Sequence, residues 1–184
     1  MSNNDFLPEG GREVNNYMKF EEGDNKFRIL SPAIGGYLYW NEDKDGNRKP
    51  IRKHLNDDLV LSEIQEPEKV KKFWAFIVWN YKEEAIQILE ITQKVIKQSI
   101  QGFISNKKFG SPVDKYDVIV NRKGTGLASK YIVQADPPDT SDKKVKEALK
   151  LKPIRLEALF EGTDPFMVTK DTMNENVDPD SVPV

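Results

Sequence analysis

Side chains able to do covalent chemistry are scarce in this chain. Among its 184 residues there is no cysteine and one histidine, His54. That disfavours disulfides, thiolate nucleophiles, Cys-ligated zinc and any His-based triad within one chain. Four short patterns still invite a chemical reading. Asn41-Glu-Asp43-Lys-Asp45-Gly46 spaces oxygen donors as the start of an EF-hand loop does, with glycine sixth. Such a loop needs a bidentate acid at its twelfth position, and Arg52 stands there, so a polar hairpin turn is the better reading. Gly124-Thr-Gly126 follows Arg122-Lys123, but the Lys-Ser/Thr and helix of a phosphate loop do not come next. Acids cluster at Asp57-Asp58, Glu83-Glu84 and Asp114 with Asp117, in expected loops and turns, with no motif to converge them on a substrate. His54, among Arg52, Lys53 and Asn56, reads as a surface loop residue. No catalytic centre, metal site or cofactor is expected.

What remains is an interleaving of cations with flat rings. Tyr37, Tyr39 and Trp40 precede Arg48, Lys49, Arg52 and Lys53; Lys71 and Lys72 precede Trp74, Phe76 and Trp79; Tyr81 follows. Arg122, Lys123, Lys130 and Tyr131 gather further on. Single-stranded nucleic acid is held this way, with cations along its phosphates and rings stacked on unpaired bases. The stacking candidates are Tyr37, Tyr39, Trp79 and Tyr81. The phosphate candidates are Arg28, Lys49, Arg52, Lys53, Lys72, Arg122 and Lys123. The competing reading makes the rings core, because both alternating sets of 72–79 are apolar. Trp74, Phe76 and Val78 are assigned to the interior. Trp79 and Tyr81 border a polar turn and are expected outside. Leu38 belongs inside, which turns Tyr37 and Tyr39 to solvent and leaves Trp40 unassigned.

The elements that must position these residues are mainly strands. KFRILS (26–31) is a short strand stopped by Pro32; 36–40 and 49–53 flank a polar stretch as a long hairpin. Residues 72–79 and 85–91 form a second hairpin, and 116–122 with 129–135 a third around KGTGLA. Between them, Val95, Ile96, Ser99, Ile100, Phe103 and Ile104 repeat at helical spacing behind a Thr92 N-cap. Residues 142–150 form a short exposed helix, and 153–160 add another helical turn or two. The fold class is mainly β with one or more helices. Strands, one helix and a closing hairpin suit a five-stranded OB-fold-like Greek-key barrel with elaborated hairpins. A generic α+β sandwich is the structural alternative.

The net charge of −2 hides a partition. Residues 17–135 carry 20 Lys and Arg against 16 Asp and Glu, while residues 136–184 carry 7 against 11. Residues 1–16 read as a flexible arm, 17–160 as the core, and 161–184 as a disordered acidic tail. Asp171, Glu175, Asp178 and Asp180 of that tail are candidate partner contacts, against the plain alternative of a solvated chain end. No apolar run approaches the roughly 18 residues of a membrane span. The chain is expected in a cytoplasm, with no membrane partner. The sequence leaves its oligomeric state open.

YMKFEEGDNKFRILSP (17–32), GYLYW (36–40), FWAFIVWNY (73–81), IQILEITQKVIKQSI (86–100) and YDVIVNRKGTGL (116–127) resemble phage-encoded single-stranded DNA-binding proteins. The resemblance implies an OB-fold core that coats single-stranded DNA in replication, recombination and repair. It also implies an acidic C-terminal tail recruiting replication or recombination proteins. This chain ends in Val184, where the acidic tips of bacterial single-strand binders end in an aromatic residue. The zinc site of the T-even phage helix-destabilising proteins cannot be shared by a chain with no Cys and one His. The alternative function is an OB-like interaction or structural module that binds no nucleic acid.

Overall fold

A computed structural model describes residues 15–113, 115–138 and 142–167. Its frame is a seven-stranded antiparallel sheet. The strands are β1 (Gly23–Ile29), β2 (Ile34–Glu42), β3 (Arg48–His54), β4 (Lys71–Asn80), β5 (Ala85–Ile91), β6 (Asp117–Lys123) and β7 (Lys130–Asp136). Hydrogen bonding runs β3-β2-β4-β1-β6-β7, with β5 on the other edge of β4. Three helices accompany them: α1 (Lys94–Ser105), α2 (Asp142–Leu151) and the single turn α3 (Ala158–Glu161). The β-rich class holds. The closed five-stranded barrel does not: the path is open, and β5 and β7 are not paired among the described residues.

β4 organises the sheet because its two apolar sets fit it for burial on both faces. Its first half pairs with β2, Ile34 opposite Ala75, and its second half with β1, Ile29 opposite Val78. β1 and β2 are therefore one line of chain along β4, interrupted by residues 30–33. Ser31 spans the break: its hydroxyl accepts the Ile77 N–H at 2.9 Å and donates to the Pro32 carbonyl at 3.0 Å. Residues 16–18 run along β5, with Met18 N–H donating to the Ile88 carbonyl at 2.9 Å. Gln87 donates to the Asn15 carbonyl at 2.5 Å and accepts from buried Asn80 at 2.8 Å.

On one face Phe76 and Val78 join Phe27, Ile29, Leu89, Val118 and Val120 beneath Ile96 and Ile100 of α1. The helix forms as its spacing predicts, although its N-cap is Gln93 rather than Thr92. On the opposite face Phe73, Ala75 and Ile88 meet Leu156 and Leu159, with Phe160 and Phe166 packed alongside. Trp79 and Ile86 meet Val145 of α2 there. The expectation of an exposed helix over 142–150 thus fails on Val145, Ala148 and Leu149, an apolar stripe that seats it on the sheet. Residues 161–167, expected within the tail, also pack: Arg155 forks onto Glu161, and Phe166 meets Tyr17 edge-on at 6.1 Å. No described helix is long and apolar enough to cross a membrane.

Candidate nucleic-acid interface

The antiparallel register decides which candidate residues share a face. Tyr37 on β2 lies opposite Lys53 on β3 and opposite Lys72 on β4, so Lys53, Tyr37 and Lys72 form one row across three strands. Lys53 and Lys72 are exposed and Tyr37 is half-buried. The Lys72 ammonium stands 6.0 Å from the Tyr37 ring centre, within cation–π range. Two residues back along β2, on the same face, Gly35 lies opposite Trp74. A Cβ at Gly35 would stand 3.3 Å from the indole Cδ1, so glycine lets the ring lie against the β2 backbone.

Beside this row α1 closes a cleft of about 230 Å3, lined by Leu55, Lys72, Trp74, Lys94, Lys97 and Gln101 among others. No carboxylate lines it, and no described carboxylate pairs with Lys53, Lys72, Lys94 or Lys97. Lys97 donates to the Lys72 carbonyl at 2.9 Å, which pins the first turn of α1 to β4. Burial first, and then the positive charge of Lys72, hold the Lys97 ammonium below its ordinary pKa of 10.5. The cleft thus sets three lysines without a carboxylate counterpart beside a half-buried indole.

Several expected residues are placed elsewhere, each for a local reason. Arg28 is fully buried, its Nε donating to Asp117 at 3.0 Å. Tyr81 is half-buried and donates to the other oxygen of Asp117 at 2.7 Å. Trp79 is not exposed but 2% accessible, because α2 covers it and places Lys144 5.7 Å from its ring centre. Tyr39 shares the face of Tyr37 yet is only 7% accessible. Nearby, residues 63–65 are drawn against the β2–β3 hairpin by bonds of Asn41 to the Glu63 carbonyl and Gln65 N–H. Arg52 forks onto Glu90 at 2.9 and 2.5 Å. Lys49 pairs with Asp43 at 3.1 Å.

Asp43 is also held below its ordinary carboxylate pKa, first by the Asn47 N–H and then by Lys49. Its Oδ1 accepts from Asp45 and Asn47 N–H, an arrangement that shapes the 43–47 turn. Arg122 spends its guanidinium on the Gly124 and Phe20 carbonyls at 3.1 and 2.6 Å. Lys123 is exposed at the β6–β7 hairpin, opposite Lys130. Of the eleven candidates, Tyr37, Lys53 and Lys72 come together; Lys123 stands in the separate β6–β7 hairpin. His54 is at the end of β3, stacked on Phe160 at 3.7 Å. Asp171, Glu175, Asp178 and Asp180 lie outside the described residues.

Sequence reasoning passed over Trp74, Lys94 and Lys97. Trp74 does pack against the core as assigned, but it stops half-exposed at the rim. The signal for the lysines was present in α1. Positions 94, 97 and 101 share one helical face and are all polar.

The fold and cleft define a β-sheet protein with a basic, aromatic-lined surface. A curated protein of Escherichia phage T5, "Probable ssDNA-binding protein", is 23% identical over 147 residues, covering 68% of this chain and 56% of the relative. The matched region thus spans just over half of the relative's length. No protein-family profile matches the chain, and no solved structure does.

Proposed function

We propose that the chain binds single-stranded DNA without sequence preference and without catalysis, through the cleft between α1 and the β2–β4 row. The observation that carries this reading is the trio Lys72, Lys94 and Lys97 around Trp74 with no carboxylate among them. Lys53 and Tyr37 extend the same surface along the sheet. Cations would follow the phosphates while Trp74 and Tyr37 take bases on their faces, each stack contributing ~1–3 kcal/mol. The name of the phage T5 relative supports the same substrate.

The pairing supports a finer reading of the fold as an opened OB-type barrel. β1 and β2 together serve as its first strand, β4 and β5 as the next two, α1 as the connecting helix, and β6 and β7 as the last two. The β2–β3 hairpin is then the elaboration. The context we propose is strand protection during phage replication, recombination or repair in a host cytoplasm. Beyond the described residues, 168–184 carry Lys170 against Asp171, Glu175, Asp178 and Asp180. We propose that these acids recruit partner proteins.

Titration of the full chain with oligo(dT) at low salt should quench tryptophan fluorescence, with recovery on adding NaCl. Trp74 is the half-exposed tryptophan of the cleft, so substituting it with leucine should remove most of the change. Absence of quenching together with no mobility shift of a single strand would overturn the proposal in favour of a module that binds no nucleic acid.

A further inference from the structure

The basic cleft does not end at Trp74. On that indole lies a second recess of about 260 Å3, walled by Pro32, Ala33, Trp74, Ile104, Pro112 and Val113 among others. Both recesses use Trp74 as a wall, and one stripe of α1 serves both, with Lys94, Lys97 and Gln101 on the cleft and Ile104 on the recess. Ten residues of helix put about 15 Å between the ends of that stripe.

The chemistry changes sharply across the indole. The recess is almost wholly apolar: of its two serines, Ser31 is already committed to the Ile77 N–H and the Pro32 carbonyl, which leaves the single hydroxyl of Ser111. It therefore offers contact area and ring faces rather than a hydrogen-bond code. At about 260 Å3 it falls below the ~300–1,000 Å3 of sites for drug-sized ligands. It lies at the break between β1 and β2: Leu30 N–H still donates to the Ile77 carbonyl of β4 at 2.8 Å, and the following residues 31–33 line the recess opposite residues 111–113.

We infer that this recess is a nucleobase slot: it takes one unstacked base of the strand whose phosphates lie on Lys72, Lys94 and Lys97, against the face of Trp74. The inference rests on the single-strand reading above and names a subsite within it. A polyanion seated on the three lysines passes the mouth of the slot. The apolar lining accepts purines and pyrimidines alike, because every base has a stackable face.

Ala33 is exposed and Ile104 is 46% accessible, so Ala33→Leu and Ile104→Trp fill the recess from two sides at surface positions. Each folded variant and the wild-type chain would be titrated with oligo(dT) and with an abasic oligomer of equal length, across a salt series. Filling the slot should weaken oligo(dT) binding at least about fivefold, the low end of one base–aromatic stack, with the salt slope unchanged. The abasic strand should bind wild type and variants equally. Equal oligo(dT) affinity for both folded variants and wild type would overturn the slot while leaving the single-strand reading intact. An equal loss for both strands would overturn it in the same way. Failure of the wild-type chain to bind either strand would remove the reading itself.

Discussion

At the scale of single residues, the same cation does different work according to what it faces. Arg28, fully buried on Asp117, is a structural charge. Arg28→Ala would leave that carboxylate without its guanidinium, and a thermal or urea melt should show a loss of about 3–5 kcal/mol. Strand affinity should be unchanged wherever the variant is still folded. Lys97 is the opposite case, a cation with burial and Lys72 acting against its charge. Its folded pKa is lowered, so the fold binds fewer protons than the unfolded chain in the window just below 10.5, and stability from this group rises with pH there. Strand phosphates would restore the charged form, so binding takes up a proton and affinity falls as pH rises through that window. Titrating oligo(dA) over alkaline pH should show this fall reduced in Lys97→Arg; an identical pH profile in both proteins would contradict it. The sequence shows both residues as basic and nothing more. Burial of Arg28 depends on Asp117, 89 positions away, which no local pattern reveals.

At the scale of elements, the legible parts were those with strong local periodicity. All three hairpins and α1 form where apolar spacing and turn residues place them. The illegible part was what covers each face. β4 is apolar on both sides, which told that neither face is fully wet but not which helix covers which. Val145, Ala148 and Leu149 were the missing clue: they seat α2 over Trp79 and remove that ring from the surface. Close approach by backbone is a second feature that patterning misses. A Cβ at Gly36 would stand 2.2 Å from the Lys53 carbonyl oxygen and 2.8 Å from the Phe160 ring. Gly36→Ala must therefore part β2 from β3 and disturb the ring stacked on His54. Thermal unfolding should register a loss at the upper end of the ~1–3 kcal/mol typical of overpacking. A melting temperature within a degree of wild type would show that the hairpin yields freely.

At the scale of the whole molecule, the overall charge of −2 is a poor guide and its distribution a good one. The basic excess lies in the segment that builds the sheet and α1, and the residues beyond 167 are acidic. Because 161–167 pack against the sheet, a deletion aimed at the acidic end should begin at 168. Removing 168–184 takes four acids and one lysine away. If that segment competes with a strand for the basic cleft, the truncated chain should bind oligo(dT) more tightly at low salt and equally at high salt; unchanged or weaker binding at low salt would refute the competition. The central claim is that the α1–β4 cleft, rather than positive charge in general, holds the strand. Its most direct test compares the salt dependence of oligo(dT) binding for Lys72→Ala/Lys97→Ala with Lys143→Ala/Lys146→Ala, exposed positions on α2. Each phosphate contact on a single strand contributes ~0.7 to the log–log slope. The cleft pair should show a slope smaller by about 1.4 and the α2 pair a wild-type slope. Equal slopes in the two variants, or no salt-dependent binding by the wild-type chain, would contradict it.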